Sequence, residues 1–477
     1  MSWSLFLALL LPSTPTTALE PQSRGAVELS PCPIAGTGEK MLCGTYDVYE
    51  NRGTGRGRII PLDVAVLPAK KKPLADPIFF LSGGPGGSAV ARAAAFRDSW
   101  LRKRRDIVLV DQRGTGGSNP LGCALPGSAD DLQGYLAGDF SDMRVYRRCE
   151  RELRGRAKLE HYTTPNTVDD LDELREAMGY QRINLLGSSW GTRTALVYLR
   201  RHPERVRAAI LSSTVPLGIV YPLYHAQGAQ GALETVFAQC AADTDCSVAF
   251  PDPAADLRTA MGRLTVGPVE VTIDHPDTGE PVTVELSQAA FAEGLRYFHL
   301  SVDLTRWIPW MLARAAAGDY SLVSQLAVEA QRAFRPLKIG LLLSIVCSGD
   351  VPRIDPAEIP ALTEGTFFGD RRIFETMAIC DGWPTGDLDP AFGDPVVGDT
   401  PVLLWAGSLD SASRPEWGVE VTDRFPDSAQ IVVDGGHTPD GVCIDKINRK
   451  FLKRASVRGL RTGCTRKIRL PEFQIPE

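Results

Sequence analysis

The sequence predicts an α/β protein, a mostly parallel, doubly wound sheet interrupted by an inserted, mainly helical cap domain. Three observations predict it. Short apolar runs at 77–81, 106–110, 182–187, 206–212, 401–406 and 429–433 have the continuous character of strands covered on both faces. The stretch 216–399 breaks that rhythm with helix-like segments. Between an apolar and an amphipathic run stands Gly187-Ser-Ser189-Trp190-Gly191, the pattern of a sharp strand-to-helix turn that lifts a serine hydroxyl clear of a sheet. The expected organisation is a signal peptide at 1–18, a first part of the sheet domain at 19–215, the cap at 216–399 and a second part of the sheet domain at 400–477.

Taken in order, the first element is an apolar run from Trp3 to Leu11 followed by small residues up to Ala18, which reads as a signal-peptide core and cleavage zone, too short to span a membrane. The ten cysteines point the same way, because an even count in an exported chain implies disulfides. Sequence leaves the connectivity open. Near neighbours give the expected pairs, Cys32–Cys43, Cys123–Cys149, Cys240–Cys246, Cys347–Cys380 and Cys443–Cys464, while a zinc site lacks C-x-x-C pairs and nearby histidines. Alternation on both sides of Asn51-Arg-Gly-Thr-Gly55 predicts an antiparallel hairpin at one edge of the sheet. A helix is expected at 89–105 between two strands, and another at 167–179, with Thr167 as its cap and Gly179 at its end. Within the insertion, 228–242 and 291–317 read as helical and 269–286 as strand-like.

With 43% hydrophobic and 23% charged residues, the composition is globular. The net charge of -6 excludes nucleic acid and an anionic membrane as partners, since both require a clustered positive field. Stable membrane insertion is not expected. The oligomeric state is left open.

A serine in such a turn needs a base within hydrogen-bond reach and an acid to hold the base's tautomer, in the chain order Ser, Asp, His. Of the six histidines, only His437 follows the last predicted strand, in Val433-Asp-Gly-Gly436-His437. Asp410 lies just past the preceding strand and is the expected acid; Asp434 and Asp440 are nearer His437 along the chain but would need a tight turn back. Developing oxyanion charge needs two N–H donors. Trp190, after the serine, supplies one; Gly84, in the glycine-dense loop Ser82-Gly-Gly-Pro-Gly-Gly87, supplies the other.

These residues, with Asp111-Gln-Arg-Gly-Thr-Gly116 and Cys380-Asp-Gly-Trp-Pro384, resemble the prolyl iminopeptidase and tripeptidyl aminopeptidase branch of the α/β-hydrolases over nearly the whole mature chain. The resemblance implies an α/β-hydrolase fold and release of residues from peptide N-termini, with Ser189, Asp410 and His437 as triad, Trp190 and Gly84 as oxyanion donors, and Asp111 and Arg113 as structural neighbours. An exopeptidase must also hold a free α-amine, for which a carboxylate in the cap is the physical requirement. Exported members of the branch carry Cys-Ala-Glu-Asp there; this chain reads Cys347-Ser-Gly349-Asp350, which leaves Asp350 or Glu293 as candidate amine ligands.

The expectation is therefore an exported serine hydrolase, secreted or periplasmic, of aminopeptidase type and without cofactor or metal, acting on peptides through an acyl-enzyme. Two rivals stand beside it. A carboxylesterase acting on small esters would use the same triad, and a hydrolase-fold binding module would have lost catalysis.

Overall fold

The computed structural model describes residues 19–137, 142–298 and 300–476, so the leader-like segment 1–18 lies outside the described residues. Twelve strands are described: β1 (Gln22–Arg24), β2 (Val27–Pro33), β3 (Lys40–Tyr49), β4 (Ile59–Leu67), β5 (Ile78–Leu81), β6 (Ile107–Val110), β7 (Ile183–Ser188), β8 (Val206–Ser212), β9 (Val269–Asp274), β10 (Pro281–Leu286), β11 (Val402–Gly407) and β12 (Ser428–Val433). Ten form one sheet in the order β1-β2-β3-β4-β6-β5-β7-β8-β11-β12; β9 and β10 pair with each other. From β6 to β12 all neighbours run parallel, and from β1 to β6 the pairs β1/β2, β2/β3, β3/β4 and β4/β6 run antiparallel. The parallel region carries the continuous apolar runs: every residue of β6 and β11 is buried, as strands covered on both faces must be.

The chain leaves β5 towards β6 on one side and returns to β7 on the other. That reversal puts the loops after β5 and β7 side by side at the carboxyl ends of the strands, where an open α/β sheet has its crevice. Leu81 pairs in register with Gly187, so the chain segments starting at Ser82 and Ser189 leave the sheet close together.

Several local expectations are corrected. The hairpin β3–β4 is present, but β1 and β2 lie outside it, so it is not the sheet edge. The stretch 89–105 forms only short turns of helix, including Ala93–Phe96, because the chain is re-capped at Ser99, whose hydroxyl accepts from the Leu101 N–H. The next helix spans Thr164–Ala177 and is capped by Thr163 rather than Thr167, since Thr163 offers its oxygen to the Asn166 N–H. Residues 269–286 form the hairpin β9–β10 rather than one strand, and 291–317 falls across the helices Gln288–Phe298, Val302–Thr305 and Ile308–Ala317. All five expected disulfides are present.

The segment between β8 and β11 supplies most of a second apolar cluster, shared with Leu132, Tyr135, Leu136 and Leu409, in which Phe291, Leu295 and Phe298 lie with Ile308, Met311 and Val323. Its helix Ile339–Gly349 packs instead into the core beneath the sheet, through Leu341, Leu343 and Val346. Among the described residues no helix is long and apolar enough to cross a membrane.

Candidate active site

Ser189 stands between β7 and the helix Trp190–Arg201 with φ 55° and ψ -127°, a conformation that costs a non-glycine residue on the order of 1–3 kcal/mol and persists only where the surroundings enforce it. The enforcement is visible. The Ser189 N–H donates to the Ser212 carbonyl at 2.9 Å, tying the turn to the end of β8. A Cβ on Gly191 would lie 2.0 Å from the Leu81 carbonyl oxygen, so only glycine lets the helix start against β5. A Cβ on Gly83 would lie 2.8 Å from Cβ of Ser189, which brings the backbone after β5 into contact with the serine. Gly83 is the glycine packed on Ser189, and Gly84, the expected oxyanion donor, lines the same cavity.

His437 and Asp410 come from loops that follow β12 and β11, adjacent parallel strands. Backbone bonds join the two loops: the Ser408 N–H donates to Val433 O and the Leu409 N–H to Gly435 O, each at 2.9 Å. His437 Nδ1 lies 2.8 Å from Oδ2 and 3.0 Å from Oδ1 of Asp410. The carboxylate is buried, and its Oδ1 accepts the N–H groups of Ala412 and Ser413, both at 2.9 Å. Held on its Nδ1 edge, the imidazole can present Nε2 as a base, and the imidazolium that would form has a fixed anion beside it. The His437 N–H bonds Leu300 O at 3.1 Å, and the Thr438 N–H bonds Ser213 Oγ at 2.7 Å, so the loop is anchored on both flanks.

Ser189, His437, Trp190 and Gly84 line one cavity of about 630 Å³. Trp190 is the first residue of its helix, where the N–H groups lack intrahelical acceptors and are available to a developing oxyanion. Asp111 acts at one remove: its carboxylate accepts from Ser88 Oγ at 2.7 Å and from the Val90 N–H at 3.1 Å, which fixes the continuation of the Ser82–Gly87 loop. Arg113 lies away from the cavity, bound to Asp170 in the core.

The two candidate amine ligands are both buried and both already paired. Asp350 does not line the cavity; it accepts from Arg193 Nη1 at 2.9 Å and from the Tyr221 N–H at 3.2 Å, with Arg353 at 3.5 Å. Glu293 lies behind Arg372, which reaches it at 2.6 Å, and beside Arg296 at 3.5 Å. Among the described residues the arginines, not the carboxylates, line the cavity: Arg92, Arg193, Arg296, Arg335 and Arg372 are among its walls, and no described aspartate or glutamate is. Sequence reading missed them because an arginine on a helix reads as a solvated face. The available signal was the pair Glu293 and Arg296, three residues apart in an otherwise apolar stretch.

An α/β sheet with a nucleophile-elbow serine at its switch point, a histidine–aspartate pair on the next loops and a glycine-rich loop beside the serine defines a serine hydrolase of the α/β-hydrolase fold. The comparisons narrow the class. Residues 76–248 match the α/β-hydrolase fold family and residues 365–464 the TAP-like protein family. The chain is 29% identical to the serine protease Hip1 of Mycobacterium tuberculosis over 478 residues, covering 91% of this chain and 90% of that protein. It is 36% identical to the tripeptidyl aminopeptidase of Streptomyces coelicolor over 155 residues, 29% of this chain and 28% of that one. It is 30% identical to the proline iminopeptidase of Neisseria gonorrhoeae over 135 residues, 28% and 31% of the respective chains. The chain is a serine hydrolase of the α/β-hydrolase fold, and over these segments it is similar to the prolyl iminopeptidases and tripeptidyl aminopeptidases.

Proposed function

We propose that the protein is an exported serine peptidase of aminopeptidase type that releases residues from peptide N-termini through an acyl-enzyme. His437 takes the Ser189 proton as the hydroxyl attacks the scissile carbonyl, Asp410 stabilises the imidazolium, and the N–H groups of Trp190 and Gly84 receive the oxyanion. The imidazolium then gives its proton to the leaving amine, and water activated by His437 releases the acyl group. The observation that carries this reading is the contact of His437 Nδ1 with a buried, backbone-bonded Asp410, in one cavity wall with a serine held at positive φ. Five disulfides and the leader-like N-terminus support export. In this reading the segment 216–399 is the cap that roofs the cavity, to which it contributes Tyr221, Arg296 and Leu337.

A carboxylesterase is the second reading. The observation favouring it is the lack of a cavity-lining carboxylate for a free α-amine among the described residues. Hydrolysis of alanyl-, prolyl- and tripeptidyl-nitroanilides, the same compounds acetylated, and nitrophenyl butyrate separates the two readings, with Ser189→Ala as control. Peptide cleavage lost in the variant supports the peptidase. Turnover confined to the ester moves the assignment to esterase, and no turnover of any compound rejects both.

A further inference from the structure

The positive charge of this chain is gathered in one place. Between Gly441 and Leu470 stand ten lysines and arginines against a single acid, Asp445, in a protein whose net charge is -6. Five of them, Lys446, Arg449, Lys450, Lys453 and Arg454, recur at the three- and four-residue spacing of one helical face on Val442–Arg454, and all five are exposed. Ile444, Ile447 and Phe451, on the opposite face, are buried in one cluster with Leu403 and Trp405 of β11. The other five lie between Arg458 and Arg469 and are exposed as well. The Cys443–Cys464 disulfide, with Val457, Leu460 and Ile468 packed against that same cluster, folds this segment back along the helix and brings the two sets of cations together.

These cations differ from others on the surface. Arg97, Arg144, Arg314 and Arg332 each face a carboxylate, of Asp98, Asp142, Asp319 and Asp277 in turn. Among the described residues, none of the ten has a carboxylate at ion-pair distance. The contacts they do make leave the charge in place: Arg454 donates to the carbonyls of Arg458 and Gly459 at 3.4 and 3.2 Å, and Arg449 lies over the Trp100 ring at 5.3 Å. Lys103 and Arg104, exposed just after Trp100, extend the field. Lys446 with Lys450, Arg449 with Lys453 and Lys450 with Arg454 are like charges one turn apart, which oppose the helix that carries them. An anion brought from outside would relieve that repulsion.

The whole-chain charge conceals this face, and the exclusion of an anionic partner drawn from that charge does not hold for it. Val442 narrows the partner. It stands one turn before Lys446 at the head of the cationic face and is 87% exposed, an apolar side chain in line with the cations. A soluble polyanion gains nothing from it, whereas a bilayer offers phosphates to the cations and hydrocarbon to the valine and to the lysine and arginine stems. We propose that this face holds the protein to anionic phospholipid bilayers, with the helix Val442–Arg454 lying along the headgroups. The association is peripheral, since no described helix is long and apolar enough to cross a membrane. None of the cations between Gly441 and Leu470 lines the cavity of Ser189, so binding and hydrolysis are separable.

Co-sedimentation with vesicles tests it, using phosphatidylcholine alone and phosphatidylcholine with phosphatidylglycerol, at low and at high salt. The wild type is expected to partition onto the anionic vesicles roughly 100-fold more strongly than onto the neutral ones at low salt, and to lose most of that difference at high salt. Reversing three cations of the face together, Lys446→Glu, Lys450→Glu and Lys453→Glu, is expected to lower the anionic partition by roughly 100-fold. Arg144→Glu, Arg151→Glu and Arg258→Glu, three exposed positions elsewhere that change the net charge equally, are expected to leave it within about threefold. Val442→Ser is expected to weaken vesicle binding several-fold and to leave capture on immobilised heparin, a soluble polyanion, unchanged. Equal partition of the wild type onto both kinds of vesicle, or equal loss in the two triple variants, overturns the proposal. Vesicle binding untouched by Val442→Ser, or heparin capture without vesicle binding, overturns it in favour of a soluble polyanion. Circular dichroism checks that each variant is folded; should the Lys446 triple variant not be, the lipid dependence of the wild type and the Val442→Ser result decide.

Discussion

Two buried arginine–carboxylate clusters in this molecule differ in how completely they are satisfied. In the core, Arg113 grips Asp170 with two bonds of 2.6 and 2.7 Å, and its remaining donors reach the carbonyls of Tyr49, Glu50 and His161. Arg52 adds a further bond to Asp170 at 2.7 Å. Beside the cavity, Arg296 leaves its Nε unpartnered and shares one glutamate with Arg372. A saturated cluster holds segments of chain together and has nothing left to offer a ligand. A buried guanidinium nitrogen without a hydrogen bond, such as Arg296 Nε, gains less from its burial than those of Arg113 do.

If the comparison is right, substitutions around the cavity alter rate and leave stability nearly unchanged, while substitutions in the saturated cluster do the reverse. Ser189→Ala should lower kcat by roughly 10⁴- to 10⁶-fold, with the urea midpoint unmoved, as assays of nitroanilide hydrolysis and equilibrium unfolding would record. Asp410→Asn should cost on the order of 10⁴-fold in kcat, because the amide favours the wrong His437 tautomer while the Ala412 and Ser413 N–H groups still hold the loop. Arg113→Ala should cost about 3–5 kcal/mol in urea unfolding by leaving Asp170 buried with only Arg52, and a loss under 1 kcal/mol would break the comparison.

The smallest effect belongs to Asp76, at the other end of the strands. Burial opposes its ionisation, but the hydrogen bond from Asn184 and the charges of Arg105 and Arg207 outweigh that and hold its carboxyl below the usual carboxylate range. A depressed folded pKa contributes stability that is present above the unfolded value and lost as pH falls through the folded one. Asp76→Asn should therefore cost about 1 kcal/mol at neutral pH, with the difference from wild type vanishing in acid. A difference that persists at low pH would mean that packing, not charge, is responsible.

How much of this was legible in sequence depended on range. The elbow could be read because its glycines, its serine and the flanking apolar and amphipathic runs are contiguous, so their packing follows from chain geometry. Asp410 and His437 could be read because each follows a strand that announces itself by composition. The first strands, β1 and β2, escaped notice: β1 is three residues long, and β2 contains two prolines. In the segment between β8 and β11 the helical stretches 228–242 and 291–317 could be read, but the breaks in the second could not, since Ser301 and Trp307 interrupt the apolar pattern only weakly, and helices such as Ser321–Phe334 were not anticipated.

The sequence by itself determined the class of sheet and the elbow with its candidate nucleophile, base and acid, because each depends on residues close in the chain or on strands with an unmistakable apolar run, while the cysteine connectivity it left open. Only the tertiary structure decided what faces the serine. Glu293, Arg296 and Arg372 come from two helices far apart in sequence, and whether a carboxylate or the arginine in front of it meets the cavity depends on how those helices pack. Charge at a site is a sum over side chains brought together by folding, and no local pattern contains that sum.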